Sequence, residues 1–506
     1  MHNYGKAYSY CDDLPTRPCI EIGRLLVTGA SGYVGGRLIP ELLSRGYSVR
    51  AMVRGDPSSY KDRWPRAEVV GGDALDRASL RSALEGVHTA YYLIHSLLLG
   101  PDEFDEADHV AARNFGDIAH EQGVKRIIYL GGLGDCRSSK SRHLQCRLEV
   151  EDELQASGVS LTTLRAAIII GSGSASYEII RNLVRRLRII PLPPWAKNRC
   201  QPIGIRDVVK YLVGVLEVPD TRGQSFDIGG PDLLTYESML RTFAEIIGKN
   251  VLFRPVPVRN IKAFAYFASL LTPVPSQITS CLMEGLLDEV VCNSNDIRKY
   301  VHFPSLGYRE SIVRALTREE QDSVYTRWSD AFPPAHELAM RLNEIDGSPC
   351  FTASYSVEST ASSPALFRSV CRVGGKTGWF NSSLLWRVRG GFDRILFGVG
   401  SDRGRRSQTE LLINDVIDFW RVEDIVADRR VLLRAEMKLP GKAWLEFTIE
   451  NTKGMRRLRV TAYFVTHSWF GRLYWFFFHP FHHFIFQDLV NQIERRSREL
   501  TGNTSQ

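Results

Sequence analysis

The sequence lacks several features that would place it in a specialised class. Its nine cysteines include no C-x-x-C pair and no cysteine–histidine pattern of a zinc site. Residues 1–20 lack the apolar core of a signal peptide, so the sequence does not indicate export. The basic excess, 64 Lys and Arg against 57 Asp and Glu, is small and spread along the chain, unlike the focused basic face of a nucleic-acid-binding module. We therefore expect a cytoplasmic protein with no metal and no nucleic-acid partner.

The sequence also has little that resembles a membrane span. The segment nearest to one is Trp469 to Phe486, WFGRLYWFFFHPFHHFIF, which is rich in aromatic residues but carries Arg472, Pro480 and histidines. A spanning helix needs about 20 consecutive and mostly apolar residues. We expect this segment to be buried in a domain core, with peripheral contact to a membrane surface as the alternative.

What the sequence does contain is a strand that turns into a helix around three glycines. Residues 24–45 read RLLVTGASGYVGGRLIPELLSR, and a second apolar strand at residues 47–53 completes a βαβ unit. A dinucleotide pyrophosphate needs backbone N–H groups at a helix N-terminus and no side chains in its path. The alternative is a tight turn without a ligand. We predict that the turn binds a dinucleotide through Gly29, Ser31, Gly32, Tyr33, Val34 and Gly35.

The residues after the second and third strands bear on which dinucleotide binds. A carboxylate after the second strand accepts from a ribose 2′-hydroxyl, whereas an arginine pairs with a 2′-phosphate. The second strand ends at Arg54, with Arg50 earlier in it, and this favours NADP(H) over NAD(H); Asp56 is the acidic alternative. After the third strand come Asp73 and Ala74. Asp73 is either an acceptor for the adenine amino group or the N-cap of a helix.

These motifs resemble a known family. The TGASGYVG turn, the GGDALD loop and the strands at residues 88–96 and 126–134 resemble the atypical short-chain dehydrogenase/reductases. The likeness is closest to epimerase-like or NmrA-like proteins with a C-terminal domain of unknown function, and it runs from about Gly23 to about Gly502. It implies an α/β fold with a doubly wound parallel sheet, the Rossmann fold, a nicotinamide cofactor and an oxidoreductase reaction.

The residues that carry out the reaction in that superfamily are replaced here. The superfamily uses a Ser or Thr after the fifth strand and a Tyr-x-x-x-Lys pair on the next helix. This sequence has residues 130–133, LGGL, at the first position and His143 and Arg147 at the i, i+4 spacing of the pair. A histidine with an ordinary pKa of about 6.5 can move a proton at neutral pH, and an arginine can hold ribose hydroxyls. We therefore consider both residues as catalytic candidates.

Each of these candidates also has a structural interpretation. His143 can lie on the helix surface, and Arg147 can form an ordinary i, i+4 ion pair with Glu151. A third possibility is that Arg147 contacts the ribose without taking part in catalysis. His95, at the end of the fourth strand, either faces the cofactor cleft or simply caps the strand.

Composition divides the chain into four parts. Residues 1–22 are expected to be a flexible extension, and residues 23–316 to form the NAD(P)-binding domain with a small substrate and lid region. Residues 317–349 are expected to be a linker before a second domain at residues 350–500. Within the first domain, residues 251–316 contain a helical stretch rich in Phe, Ala and Leu that we interpret as a lid over the cleft.

The second domain has alternating strands followed by one long terminal helix. This order of elements resembles the START and polyketide-cyclase-like helix-grip domains, an α+β fold that encloses an apolar cavity. The tryptophans of this domain either line such a cavity or, as we favour, fill the core; they are Trp379, Trp386, Trp420, Trp444, Trp469 and Trp475.

Three classes of function follow from these features. The first is an NAD(P)H-dependent oxidoreductase that acts on an apolar small molecule. The second is a non-catalytic NADP(H)-sensing regulatory protein of the NmrA type, and the missing Tyr and Lys support it directly. The third is a lipid or quinone carrier, or a membrane-assembly factor, in which the nucleotide is structural. We favour the enzyme because hydride transfer depends on positioning more than on a tyrosine.

Overall fold

A computed structural model divides the chain into two units, Met1–Pro334 and Ala335–Gln506. The structure describes residues 9–95, 104–134, 141–258, 260–320, 324, 326–330, 342, 351–374, 379, 405, 407–437, 439–452 and 455–502.

The first unit is built on a parallel sheet. Its described strands are β1 (Arg24–Val27), β2 (Val49–Val53), β3 (Glu68–Gly71), β4 (Val87–Tyr92), β5 (Arg126–Gly132), β6 (Leu161–Ala166), β7 (Ile169–Ile170), β8 (Ile189–Leu192), β9 (Arg199–Cys200), β10 (Ile203–Gly204), β11 (Ser225–Ile228), β12 (Leu234–Thr235) and β13 (Leu252–Pro255). Seven of them form one sheet in the order β11-β6-β5-β4-β1-β2-β3. All neighbours in this sheet are parallel, and the strand order reverses between β1 and β4. The predicted doubly wound Rossmann fold is confirmed.

Helices cover both faces of this sheet. The described helices are α1 (Gly35–Ser44), α2 (Arg77–Leu84), α3 (Phe104–Glu121), α4 (Arg142–Ala156), α5 (Ala175–Arg186), α6 (Ile205–Glu217), α7 (Tyr236–Ile246), α8 (Ile261–Leu271), α9 (Ser276–Glu284), α10 (Ile297–Tyr300) and α11 (Tyr308–Glu320). Leu25 and Val27 of β1 belong to a core with α1 and α6, whereas Leu26 belongs to a core with α2, α3 and α4. This alternation follows from the two-residue period of a strand. It leaves the crevice at the carboxyl ends of β1 and β4 as the expected ligand position.

Residues 9–22 pack against the first unit, so the expected flexible extension is wrong for them. The Glu41 carboxylate in α1 accepts hydrogen bonds from the backbone N–H of Tyr10 at 2.7 Å and of Cys11 at 3.1 Å. Tyr10, Cys11 and Leu14 are buried in the same core as α1. A carboxylate on a buried helix face needs such partners, and they fix the segment in place. Residues 1–8 lie outside the described residues.

Part of the expected linker also belongs to the first unit. Residues 317–320 are the end of α11. The Thr326 hydroxyl donates to the Tyr33 carbonyl at 2.8 Å and accepts from Arg37 Nε at 2.9 Å. The Trp328 backbone N–H donates to the Gly173 carbonyl at 2.8 Å. Residues 326–330 therefore pack beside the glycine turn rather than connecting two domains freely.

The second unit is an antiparallel sheet with two described helices. Its strands are β14 (Phe351–Ser359), β15 (Val416–Ile417), β16 (Trp420–Val426), β17 (Arg430–Ala435), β18 (Lys442–Thr452) and β19 (Met455–Val465), in the order β14-β19-β18-β17-β16-β15. The helices are α12 (Ser363–Val370) and α13 (Trp469–Gly502), which pack against the sheet through residues such as Leu366 and Val490. The predicted α+β order of strands and one long terminal helix is confirmed. Its likeness to helix-grip domains stays a prediction.

The tryptophans of the second unit differ in burial. Trp379, Trp420, Trp444 and Trp475 are buried, as expected of a filled core, whereas Trp469 is exposed. Trp386 lies outside the described residues. The predicted burial of residues 469–486 is wrong for much of the segment, because six of its large apolar side chains are exposed. Of the described helices, none combines the length and the apolar character that a membrane crossing requires.

Candidate functional site

A cavity of about 600 Å³ lies at the carboxyl ends of β1, β2, β4 and β5. Twelve residues that the sequence proposed for the site line it: Gly29, Ser31, Gly32, Tyr33, Val34, Gly35, Arg54, Asp73, Ala74, His95, His143 and Arg147. The fold therefore brings together side chains from five separate segments of the chain. Their roles in binding and catalysis stay predictions.

The glycine turn connects β1 to α1 and needs its glycines for close approach. Gly29 has a φ of +61°, and a Cβ placed there would lie 2.4 Å from the Leu93 carbonyl oxygen after β4. A Cβ on Gly35 would lie 2.4 Å from the Gly29 carbonyl oxygen. Both substitutions would push the turn away from the strand ends. This close packing keeps the start of α1 at the edge of the cavity, where a helix N-terminus suits a pyrophosphate group.

Arg54 and Asp73 lie at the corner of the cavity that follows β2 and β3. Burial lowers the pKa of the Arg54 guanidinium, and the Asp73 carboxylate opposes that shift. Asp73 Oδ1 accepts from the backbone N–H of Leu75 at 3.0 Å, which closes its own loop. The N-cap of α2 is Asp76, which accepts from Ala78 N–H at 3.0 Å. The N-cap interpretation of Asp73 is therefore wrong.

Arg50 and Asp56 have structural roles away from this corner. The Arg50 guanidinium donates to the carbonyls of Ala83 and Glu85 at the end of α2, at 2.8 Å each. Asp56 caps a short 3₁₀ helix by accepting from Ser58 N–H at 3.0 Å. Neither residue is found among the described residues that line the cavity. Arg54 is thus the candidate for contact with a 2′-phosphate.

A buried ion pair holds Arg147 in the cavity wall. Asp108 Oδ2 in α3 accepts from Arg147 Nη2 at 2.9 Å, and the two side chains are 1% and 7% exposed. The same carboxylate oxygen lies 3.1 Å from His95 Nδ1. The Arg147 guanidinium lies 5.8 Å from the centre of the Tyr129 ring, whose hydroxyl donates to the Arg147 carbonyl at 3.0 Å. Charge-assisted bonds of this kind fix the direction of a guanidinium.

The i, i+4 ion pair between Arg147 and Glu151 does not form. Glu151 Oε1 accepts instead from Arg165 Nη2 at 2.7 Å and from the Ser225 hydroxyl at 3.0 Å. The start of α4 explains the difference, because the Ser141 N-cap sets the helix so that His143 and Arg147 face the cavity on successive turns. Glu151, one turn further, lies beside β6.

His143 and His95 stack on each other next to this ion pair. Their ring centres are 4.9 Å apart and their planes differ by 25°. Burial, with further contributions from His95 and Arg147, holds the pKa of His143 well below 6.5. Burial and Arg147 lower the pKa of His95 to about 4, against the opposite effect of Asp108. Both imidazoles are neutral at pH 7, so the expectation of an ordinary pKa for His143 is wrong.

Beyond the histidines, the cavity wall becomes apolar. Its side chains come from α5, α7, α8, α9 and the segment after β8, and include Ile179, Ile180, Leu183, Trp195, Met239, Leu240, Phe264, Ile278, Leu282 and Met283. The helical stretch that the sequence placed between residues 251 and 316 forms α8 and α9, and it supplies four of these side chains. This end of the cavity offers burial to an apolar molecule.

Two site residues escaped the sequence argument. Asp108 lies on the buried face of α3, at helical spacing from Ala111, Ala112 and Phe115. A carboxylate at an otherwise apolar helical position is the sequence signal that could have indicated a buried functional residue. Trp328 lines the cavity from a segment that composition marked as a linker. No local sequence pattern predicts the position of Trp328, because that position depends on how residues 326–330 fold back onto the glycine turn.

Two family models match the chain. Residues 22–286 match the NmrA-like family, and residues 347–489 match a family described as a protein of unknown function, DUF2867. Together they cover the described sheets of both units.

Several curated proteins are similar to the first unit. One is the mitochondrial NADH dehydrogenase [ubiquinone] 1 alpha subcomplex subunit 9 of Arabidopsis thaliana, 25% identical over 247 residues, which are 47% of this chain and 61% of that protein. Others are cinnamoyl-CoA reductase 1 of Oryza sativa subsp. japonica (25% identical, 44% of this chain, 75% of that protein) and ceramide reductase of Caulobacter vibrioides (26%, 45% and 71%). The chain spans about three fifths of the length of the Arabidopsis subunit.

Solved structures are similar over the same part of the chain. The triphenylmethane reductase of Citrobacter sp. in complex with NADP(H) is 22% identical with a TM-score of 0.48, covering 57% of this chain and 99% of that one. An NADPH-dependent quinone oxidoreductase of Escherichia coli in complex with NADPH is 20% identical with a TM-score of 0.47, covering 58% and 99%.

Proposed function

Since this chain belongs to the NmrA-like family, we propose that it is an NAD(P)H-dependent oxidoreductase that reduces an apolar small molecule. The observation that carries the proposal is the continuity of one cavity. It joins the glycine turn, the Asp108–Arg147 ion pair with its two histidines, and an apolar wall. A cofactor and an apolar substrate placed in this cavity would meet beside His143.

The residues present fit a nicotinamide dinucleotide. Gly29 and Gly35 let the turn pack closely, because a Cβ at either position would collide with backbone. Val34 and Gly35, at the start of α1, line the cavity, so a pyrophosphate there would meet the helix N-terminus. Arg54 offers a cation to a 2′-phosphate, which is the reason to propose NADP(H) rather than NAD(H). Arg147, fixed by Asp108, offers donors to ribose hydroxyls. When bound, the cofactor supplies a hydride.

The neutral state of His143 decides what it can do for the substrate. A neutral imidazole donates one hydrogen bond from its protonated ring nitrogen, which polarises a carbonyl oxygen as the hydride arrives at the carbon. The oxygen then needs one proton, which a water molecule supplies as hydroxide forms, while the imidazole holds the oxygen through its N–H. Arg147 keeps its charge through the reaction because it is paired with Asp108.

The apolar wall should select against polar substrates, because it offers them no hydrogen bonds in place of water. A charged or strongly polar molecule would lose its hydration among Ile180, Leu183 and Phe264 without gaining hydrogen bonds. An apolar aldehyde, ketone, enone or quinone would gain from the same burial. We therefore propose substrates of this chemistry and not sugars or other hydrophilic carbonyl compounds.

The test combines binding with turnover in the purified full chain. NADPH and NADH are titrated first, and NADPH oxidation is then followed with a panel of apolar and hydrophilic carbonyl compounds. We expect NADPH to bind and at least one apolar compound to be reduced. His143→Ala should lower turnover and keep NADPH affinity, with exposed His302→Ala as the matched control. Failure of both nucleotides to bind would refute the proposal.

One observation favours a non-catalytic NADP(H) sensor as the second candidate. His95 and His143 are both neutral at pH 7, and the Tyr-x-x-x-Lys pair of the superfamily is missing. A sensor needs the cofactor site but no group that moves a proton. NADPH binding without turnover on any compound of the panel, together with a change in the affinity for a partner protein, would favour this function. The cytoplasmic location and the absence of a nucleic-acid partner stay predictions.

A further inference from the structure

The first half of α13 presents an unusual concentration of exposed apolar side chains. Their exposed fractions are 75% for Trp469, 58% for Phe470, 56% for Leu473, 65% for Phe476, 66% for Phe477 and 74% for Phe484. Of the six exposed Phe and Trp side chains in the described part of the chain, five lie on this helix and the sixth is Phe267. Exposed apolar residues are ordinary when scattered, but a contiguous patch of this kind marks an interaction surface.

The inner side of the same helix is firmly packed. Trp475 stacks on Phe351 at 5.4 Å and on Phe464 at 5.8 Å between ring centres. Gly471 allows a close approach, since a Cβ there would lie 2.4 Å from the Pro440 carbonyl oxygen. The exposed side chains therefore project from a fixed helix and have no place left in the core of the second unit.

The patch itself carries charge of one sign. The segment from Trp469 to Phe486 contains Arg472 and no Asp or Glu. Two arginines at the start of β19 belong to other ion pairs, since Arg457 pairs with Glu358 at 3.2 Å and Arg459 with Glu450 at 3.3 Å. Arg472, His467, His479 and His483 are exposed in and beside the patch itself. An anionic surface is the electrostatic complement of such a face.

We propose that the face of α13 formed by Trp469, Phe470, Leu473, Phe476, Phe477 and Phe484 docks onto the surface of an anionic phospholipid bilayer. Trp and Phe are suited to the interfacial region, and basic residues beside them attract anionic headgroups. The helix lies in the interface and does not cross the bilayer. A second copy of the chain is disfavoured as occupant, because pairing two such faces would bring two Arg472 guanidinium groups together with no carboxylate from this segment between them.

The experiment is co-flotation of the full chain with lipid vesicles. One set is phosphatidylcholine alone, and the other is an equal mixture of phosphatidylcholine and phosphatidylglycerol. We expect binding to the mixed vesicles, weaker binding to the neutral ones, and partial loss when salt rises from about 0.1 M to about 1 M. The triple variant Trp469→Ser, Phe476→Ser, Phe477→Ser should bind at least tenfold more weakly. No binding of the wild-type chain to either vesicle would overturn the proposal.

A matched triple variant separates this surface from general hydrophobicity. Phe267→Ser, Val313→Ser and Met455→Ser remove three exposed apolar side chains that lie elsewhere, and this variant should bind like the wild type. Equal loss in both triple variants would overturn the proposal. Circular dichroism checks that each variant folds, and the single variant Phe477→Asp repeats the test with a smaller change. A wild-type dimer in ultracentrifugation that dissociates in the α13 variant, without vesicle binding, would identify a second copy as the occupant instead.

Discussion

Asp108 and Arg147 form a buried ion pair, 2.9 Å between Oδ2 and Nη2, although they lie on different helices and nearly forty positions apart. The pair joins α3 to α4 and places a fixed positive charge in the wall of the cavity. Two neutral histidines lie against it. This one contact links the stability of the first unit to the shape of its site.

Removing the Asp108 carboxylate should therefore lower the stability of the first unit. Asp108→Asn leaves the Arg147 charge buried without its counter-ion, and the free energy of unfolding should fall by about 3 to 5 kcal/mol. Chemical denaturation measures the change. Glu310→Gln is the control, because its ion pair with Arg314 is about half exposed and should cost less than about 1 kcal/mol. Equal costs in the two variants would contradict the prediction.

The histidines predict a loss of stability at mildly acidic pH. His95 has a pKa of about 4 in the folded protein and about 6.5 in an unfolded chain. Between these values the unfolded chain binds more protons, so the free energy of unfolding decreases as the pH falls from about 6.5 to about 4. For His95 this amounts to about 3 kcal/mol, and His143 contributes with the same sign.

The test is denaturation of the wild type and of His95→Gln across that pH range. In His95→Gln the unfolding free energy should decrease less steeply as the pH falls. The variant lacks the His95 imidazole, which takes up a proton more readily in the unfolded chain than in the folded protein. Exposed His302→Gln should keep the wild-type slope. A His95→Gln slope identical to that of the wild type would show that another group causes the acid sensitivity.

The sequence predicted the Rossmann sheet and the position of the cavity because these depend on local signals. Gly29 at positive φ marks the turn between β1 and α1, and the neighbouring strands bring Arg54, Asp73 and His95 to the cavity from their carboxyl ends. The pKa of His143 could not be predicted, since it depends on a second histidine and an arginine brought together by folding. The exposure of α13 was missed because aromatic content alone does not say which side of a helix faces the core.

The glycine turn gives a prediction with a close control. Gly29→Ala places a residue with φ of +61° and a Cβ 2.4 Å from a carbonyl oxygen, so it combines backbone strain with a collision. Gly248 has a φ of +63° and open space around it, so Gly248→Ala carries the strain alone, about 1 to 2 kcal/mol. Thermal unfolding should show the larger loss for Gly29→Ala, and NADPH affinity should fall in that variant only. Unchanged NADPH binding by Gly29→Ala would contradict the assigned role of the turn.

Arg54 should decide the choice between the two cofactors. If its guanidinium contacts the 2′-phosphate, Arg54→Gln should weaken NADPH binding by about tenfold to a hundredfold, the range of a hydrogen bond to a charged group. NADH lacks that phosphate, so its affinity should change little. Titration of both nucleotides measures the ratio. Arg50→Gln is not a suitable control, because Arg50 caps α2. Arg222→Gln, another arginine of the first unit outside the cavity, serves instead. A parallel loss for NADPH and NADH would place Arg54 elsewhere in the cofactor site.

The apolar end of the cavity should affect the substrate and leave the cofactor untouched. Phe264 lines the cavity and meets Trp195 edge to face at 5.8 Å, whereas Phe267 lies on the same helix and is exposed. Once a substrate is known, Phe264→Ala should raise its KM by up to about tenfold through the lost aromatic contact, with NADPH affinity unchanged. Phe267→Ala should change neither quantity. Loss of NADPH affinity in Phe264→Ala would mean that the cofactor, and not the substrate, occupies the apolar end.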